Sequence, residues 1–353
     1  MIRKGFSIQA SCSQGRRQHS RHELTCQRRK EHAMNCQSLL AGATIALTSS
    51  FGTAALAQPF EGCPSKEILA QLEEFGRTRK MPPELGAWLN NPKAQYIEPW
   101  KAFDNVYYVG VCWVSSWVIR TSDGVVLIDT LHEPHVDQLI ANLRKVGVDL
   151  ADIKYVLMTH GHFDHVGGAA KLKPLLPNAK FVMTKIGWSE AIAAAKQSEG
   201  TPRPWSMIDQ DVVVGNGDVI RSGDNTFGVL ETPGHTHGTA SYTYDVKDGT
   251  KTYRAITVGG LGLNAIENSK QVEGYVASLD TIKKLAEQPG NPVTVHLTTH
   301  PFSNGLNELR EKVISRAPNE PNPLVDPKGL IDQLAYLRKG AEERLAIERK
   351  AGR

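Results

Sequence analysis

Residues Met158-Thr159-His160-Gly161-His162-Phe163-Asp164-His165-Val166-Gly167-Gly168 place three imidazoles and one carboxylate within six positions. An apolar run, Tyr155 to Met158, precedes them directly and reads as a buried strand. Burying a core does not call for such side chains. A strand end crowded with imidazole and carboxylate is the pattern of a metal site. His160 and His162 are two apart, so an extended backbone projects both rings to one side. Gly161, Gly167 and Gly168 permit the tight path that follows. Four ligands from one loop exceed what a single tetrahedral zinc takes while keeping a water. They suit two neighbouring metals, with His160 and His162 on one and Asp164 and His165 on the other. The competing reading, a solvated His-rich turn, leaves the interleaved acid and the glycine pair without a reason.

Each metal then needs a further ligand. Of twelve histidines, His19, His22 and His32 lie in an N-terminal extension. His132, His135, His235, His237, His296 and His300 remain outside the motif. His235 sits in Glu231-Thr232-Pro233-Gly234-His235-Thr236-His237-Gly238, a strand-end turn rich in Gly and Pro. His300 follows the β-branched run Val295-His296-Leu297-Thr298-Thr299. Each would complete one metal. A His-rich, carboxylate-poor set suits zinc, with iron or manganese as alternatives. Two such ions make a hydroxide nucleophile from water near neutral pH, which Asp164 can orient.

The His160-x-His162-x-Asp164-His165 motif, the Thr232-Pro233-Gly234-His235-Thr236 turn and the His300-Pro301 pair resemble the metallo-β-lactamase superfamily over roughly residues 95 to 345. The likeness is greatest to its third-subclass di-zinc lactamases. It extends to Asn105–Gly110 leading into Cys112 and Ser115, and to the Asn322–Pro327 tail before a charged helix. The resemblance implies an α/β fold, an αββα four-layer sandwich of two mixed β-sheets flanked by helices, with the metals at one sheet edge. It implies that His160, His162 and His235 bind one zinc and that Asp164, His165 and His300 bind the second. It implies that Asp129, in Val125–Thr130, is a structural residue beneath the site; a plain strand-terminal turn residue is the other reading. The implied activity is opening of a β-lactam amide bond by a metal-bound hydroxide.

Departures from that pattern matter. Where the subclass has a segment like Ala-Asp-Ser-Leu-Ser, this chain reads Val258-Gly259-Gly260-Leu261-Gly262. No Asp is available there to bridge metals, which argues against glyoxalase-type and many lactonase-type relatives. The missing serines count against β-lactams and sustain an alternative: an amide, ester or lactone hydrolase of the same fold acting on another small molecule. His237 stands where proline is common, as a polar group beside the metals or as a rim residue. A metal-binding protein without catalysis is the third reading. A structural zinc is closed by four protein ligands, whereas the three-plus-three split leaves both metals open. For substrate contacts, Trp113 and Trp117 lie near a loop expected to overhang the metals, Trp188, Pro204 and Trp205 follow the first motif, and Ser303 and Asn304 follow His300.

Several elements must position these residues. Leu39–Leu47 is apolar but too short to span a bilayer, and Ala55-Leu56-Ala57 resembles a cleavage site. Residues 1–57 thus read as an extension plus secretory signal peptide, starting at Met1 or Met34, and the protein as periplasmic or secreted. Eight of the 41 Lys and Arg precede Gln58 but only two of the 37 Asp and Glu, so the remainder is slightly acidic and offers no basic footprint for nucleic acid. A small-molecule substrate and no stable membrane span are expected. Cys63 and Cys112 are the two cysteines left after Ala57. They form a disulfide in an oxidising compartment, or Cys112 is a small buried apolar residue. Residues 58–94 read as an N-terminal cap, with a helix over Lys66–Arg79 stopped by Pro82-Pro83. Residues 95–353 read as one hydrolase domain. Strands at 125–128, 155–158 and 180–183 alternate with helices at 134–146, 169–176 and 189–196. Residues 212–258 read as mainly β, with hairpin signals at Asn216-Gly217 and Asp248-Gly249. A helix over 272–286, a strand before His300 and a charged amphipathic helix over 329–350 close the chain.

Overall fold

The computed structural model describes Cys63, residues 65–78 and residues 80–352. The expected leader, with its candidate start at Met34 and cleavage after Ala57, lies outside the described residues. The described residues open with helices α1 (Lys66–Thr78) and α2 (Pro83–Leu89). Pro82 and Pro83 separate them, and Pro83 occupies a first-turn position where its missing N–H costs nothing. Leu85 and Leu89 are fully or nearly fully buried against the first sheet's helices.

Seven strands form the first sheet in sequence order. They are β1 (Trp100–Phe103), β2 (Val106–Tyr108), β3 (Trp117–Thr121), β4 (Gly124–Ile128), β5 (Ile153–Leu157), β6 (Lys180–Thr184) and β7 (Val212–Val214). The first four pair antiparallel and the last four parallel. The parallel half needs crossovers. These are α3 (Val136–Lys145), the short α4 (Phe163–Val166) and α5 (Ala169–Leu172), and α6 (Lys185–Ser198). The second sheet is ordered β12-β11-β10-β9-β8. Its strands are β8 (Val219–Ser222), β9 (Asn225–Glu231), β10 (Ala240–Asp248), β11 (Lys251–Thr257) and β12 (Val293–His296), the last joined in parallel to β11 after α7 (Ser269–Ala286). Helices α8 (Leu306–Ser315) and α9 (Pro327–Lys350) complete the chain.

Three apolar clusters show the layering. On β4, Val125 and Leu127 join a cluster with α3 residues Leu139 and Leu143, whereas Val126 and Ile128 turn to the opposite face. There they meet Phe227, Val229, Tyr242 and Tyr244 of the second sheet. Period-two alternation on each strand feeds two interfaces at once. The second sheet's outer face, with Ile256, packs under α7 and α9 through Leu279, Ile282, Leu330 and Leu334. Helix, sheet, sheet and helix layers make the expected αββα sandwich.

Several expectations change. Asn216-Gly217 does not close a hairpin: β7 and β8 lie in different sheets, and the turn carries the chain between them. Its Gly215 N–H is held by the Asp218 carboxylate rather than by a ladder. The β8–β9 hairpin instead turns at Gly223 (φ 53°) and Asp224, a pair absent from the sequence reading. Asp248-Gly249 does join β10 to β11. Trp117 and Trp188 are core residues, not pocket residues. Trp117 Nε1 donates to the Thr298 carbonyl and Trp188 Nε1 to that of Val212, each satisfying its one polar atom inside. Cys63 and Cys112 are disulfide-bonded, with Cα atoms 5.5 Å apart.

Candidate metal centre

The ends of β5, β9 and β12 converge at one edge of the sandwich. After β5 the chain stays extended at His162 (φ −74°, ψ 145°) and then coils into α4. His160 and His162 therefore project before the turn, and Asp164 and His165 from its first helical residues. The turn after β9 delivers His235, and the segment after β12 delivers His300. Two groups result: His160, His162 and His235; and Asp164, His165 and His300. Within each, the candidate ligand atoms lie within 4.8 Å of one another. His162 Nδ1 faces His235 Nε2 at 3.0 Å. His165 Nε2 lies 3.2 Å from His300 Nε2 and 3.2 Å from Asp164 Oδ2, which is 3.6 Å from His300 Nε2. The His160 and His165 rings are 4.1 Å apart, so the two groups are neighbours.

The outward ring nitrogens decide what the inward ones can do. His235 Nδ1 meets the Gly262 carbonyl at 2.6 Å, and His300 Nδ1 meets the Trp113 carbonyl at 2.6 Å. His165 Nδ1 meets Asp129 Oδ2 at 2.8 Å. Carbonyl and carboxylate oxygens only accept, so these nitrogens carry the hydrogen, and the neutral rings of His235 and His300 turn bare Nε2 lone pairs inward. His162 Nδ1 and His165 Nε2 face those lone pairs, where a metal ion or a shared proton fills the gap. His160 Nε2 is buried with no partner among the described residues. An orphaned buried nitrogen and the inward Nε2 lone pairs of His235 and His300 fit divalent zinc-type ions.

Electrostatics follow from the same packing. Burial lowers the His235 pKa to about 3 and that of His300 to about 4, and depresses His160 and His162 as well. At Asp164, burial opposes charge, but His165, His300 and His162 outweigh it and hold the carboxyl well below the usual range. His165 is the exception among the rings. Burial opposes its charge too, yet Asp164 and Asp129 raise it to about 10. With no metal bound, a proton on His165 serves the carboxylates as a cation would.

Asp129 is more than a turn residue. Its Oδ1 accepts from the Thr159 N–H at 2.8 Å, and its Oδ2 holds both Thr159 Oγ1 and His165. It adopts φ 60°, a left-handed conformation Asp tolerates, and Leu131 follows at φ 56°, where a branched apolar residue is strained. Trp113 is buried, and its carbonyl and ring (5.6 Å between centroids) both support His300. Phe163, inside the motif, is 43% exposed and 6.5 Å from the Trp113 ring, an apolar group at the mouth that the sequence reading passed over. His237 is exposed at the rim. Ser303 Oγ pairs with Thr298 Oγ1, and Asn304 Nδ2 donates to the His296 carbonyl; both line a cleft of about 320 Å³ with His296 and Gln333. Gly260 lies against His235, and a Cβ there would stand 2.5 Å from that ring. Glu190, also unforeseen, accepts the backbone N–H groups of His237 and Gly238. Its signal was only a lone acid on an amphipathic helix.

Known proteins resemble this chain in sequence and fold. The profile of the metallo-beta-lactamase superfamily matches residues 109–249. A hydroxyacylglutathione hydrolase of Bradyrhizobium sp. (strain ORS 278) is 30% identical over 202 residues, 53% of this chain and 69% of its own. One from Rhodopseudomonas palustris (strain BisB5) is 34% identical over 161 residues, 45% of this chain and 52% of its own. The chain thus spans about half the length of the first curated relatives it matches. Among solved structures, a subclass B3 metallo-beta-lactamase of Bradyrhizobium japonicum superposes with a TM-score of 0.64 at 27% identity, over 73% of this chain and 97% of that one. The native FEZ-1 metallo-beta-lactamase from Legionella gormanii gives 0.64 at 25% identity, over 72% and 98%. Five of the six converging side chains fall inside the matched segment, and the sheets that carry them superpose on those enzymes: the chain belongs to the metallo-beta-lactamase superfamily.

Proposed function

We propose that the protein is a di-zinc hydrolase that opens the amide bond of a β-lactam. His160, His162 and His235 would hold one zinc, and Asp164, His165 and His300 the other. Bound there, the two ions supply Lewis acidity and lower the pKa of water so that it attacks near neutral pH. Asp164, the one carboxylate among the six and held ionised by its neighbours, orients the attacking water from the second triad. Asp129 fixes His165, and the Gly262 and Trp113 carbonyls fix His235 and His300, so the rings need no rearrangement as charge develops. Phe163, with Trp113 and Phe302 around His300, offers an apolar wall to a ring-bearing substrate. Ser303 and Asn304, expected to meet a substrate carboxylate, line a cleft with His296 and Gln333 that none of the six candidate ligands lines, and they carry no part of this proposal.

The observation that carries this reading is the split into two three-residue groups that share no carboxylate. Gly259, which stands where a bridging Asp would, supports that split, because a Cβ there would meet the Ala240 carbonyl oxygen at 2.1 Å. The near-complete coverage of the B3 lactamases supports the reading too. A second reading, an acylglutathione hydrolase, is favoured by the names of the curated relatives. Nitrocefin and a hydroxyacylglutathione thioester, each assayed before and after EDTA and after zinc is restored, separate the two. Turnover of nitrocefin alone, abolished by EDTA and recovered with zinc, is expected. Turnover of the thioester alone would replace the lactam reading with the second.

The same proposal includes export. The Cys63–Cys112 bond supports an oxidising compartment. No helix among the described residues is long and apolar enough to cross a membrane. Residues 58–94 serve as a cap and 95–353 as the hydrolase domain.

A further inference from the structure

The first triad is built from two loops separated by some seventy positions in sequence, and α6 is the element that touches both. On one side it meets Gly161, between His160 and His162. A Cβ there would come within 2.8 Å of Ala191 N and 3.0 Å of Glu190 Cβ, so the loop rests directly on the helix backbone. On the other side it meets Gly238, where a Cβ would stand 2.1 Å from Gly187 N. Thr184 Oγ1, at the helix start, donates to the Gly238 carbonyl at 2.7 Å and accepts from Gly187 N at 3.0 Å. The two loops therefore approach through glycines that leave no side chains between them and the helix. Gln271 Nε2 and Ser278 Oγ donate to carbonyls at 233–235 from the α7 side, and Glu190 is the side chain of α6 that holds the N–H groups of the turn carrying His235. Its Oε1 accepts from His237 N at 2.9 Å and its Oε2 from Gly238 N at 3.0 Å.

We propose that Glu190 is a positioning residue for the first zinc: its bidentate hold on the 236–238 turn fixes His235 where its Nε2 faces His162 Nδ1. The inference rests on reading the two triads as zinc sites. Two adjacent N–H donors call for two acceptors on one rigid plane, which a carboxylate provides. A carboxamide of the same size offers one acceptor and turns an NH₂ against the other N–H. Aspartate is one methylene short. The backbone at 237 matters for the same reason, since a proline there would remove one of the donors. α6 also packs on α4, which carries Asp164 and His165, but among the described residues no side chain of α6 hydrogen-bonds the second triad, whose outward contacts run to Asp129 and Trp113.

That asymmetry gives the test. Zinc affinity is measured by competition with a chromophoric chelator in the full chain, in a His300→Ala background that leaves only the first triad intact, and in a His235→Ala background that leaves only the second. Glu190→Gln should weaken zinc about tenfold in the His300→Ala background and change it less than twofold in the His235→Ala background, the scale expected for an outer partner of a metal ligand. The Co(II) spectrum of the first triad should shift with it. His237→Pro, which keeps the carboxylate and removes one N–H, should give a smaller loss in the same background. Equal weakening in both backgrounds would mean that Glu190 merely holds the fold together. Unchanged affinity in both would remove it from the site altogether. Either result overturns the inference while leaving the zinc reading standing, whereas failure of the wild-type chain to take up zinc would sink both.

Discussion

Single atoms carry most of the chemistry at this sheet edge. Asp129 serves three donors with two oxygens, and its replacement isolates that role. Asp129→Asn keeps the volume but cannot accept from both Thr159 and His165, so the second zinc should bind 10–100-fold more weakly by chelator competition, with the first little changed. Unaltered affinity at the second triad would return Asp129 to a turn residue. Gly260→Ala tests the opposite kind of constraint. The added methyl would meet the His235 ring at 2.5 Å, so the ring must move and the first triad should lose zinc affinity and turnover together. A variant with wild-type zinc content would show that the strand end yields instead. The His-x-His-x-Asp-His segment was legible from the sequence because ligand identity and local spacing are both written in one loop. Glu190 and Gly260 were not, because their roles are set by which backbone lies opposite.

At the scale of elements, the joins between pieces set the behaviour. The Cys63–Cys112 bond closes 49 positions of sequence and ties the start of the described chain to the loop that carries Trp113, whose carbonyl holds His300. Replacing both cysteines by serine should cost about 2–4 kcal/mol of stability in denaturant unfolding, and loss of that order is what loop-closure entropy gives for such a span. A change below ~0.5 kcal/mol would show that packing alone fixes that loop. β12 and α9 meet at His296, whose Nδ1 donates to Gln333 Oε1 at 2.9 Å while burial lowers its pKa to about 4. A depressed histidine favours the neutral form in the fold. The unfolded chain takes up the proton near pH 6.5, and the folded chain only near pH 4. Stability from this group is present above pH 6.5 and declines as pH falls to about 4, by roughly 3 kcal/mol in all. His296→Asn should flatten the stability profile across that window; an unchanged slope would assign the decline to other groups. The strands at 125–128 and 180–183 and the closing helix were readable from periodicity, since each buries a regular face. The Asn216-Gly217 turn was misread because its local chemistry suits a hairpin, while the pairing partners of β7 and β8 lie in different sheets.

For the whole molecule, the metals and the fold should stabilise each other, since both triads draw ligands from segments that converge only in the folded chain. Zinc at a hundredfold excess over its dissociation constant adds about 2.7 kcal/mol per site. Thermal unfolding should therefore shift up by several degrees with zinc and fall back on EDTA treatment. A midpoint indifferent to both would argue that neither group binds metal in the folded state.

The sequence by itself determined the candidate ligands and the strand-end placement of their motif, which depend on residue identity and local spacing, and the motifs' likeness to a known family implied the sandwich class. Only the tertiary structure decided the rest. It gave Gly262, Trp113 and Asp129 as the holders of three rings, Glu190 as a grip on the His235 turn, and the pairing of Cys63 with Cys112. Each of these is a contact between segments distant in the chain. A backbone carbonyl carries no sequence signal of its own, and an acid on a helix face becomes specific only when a second loop presents its N–H groups to it.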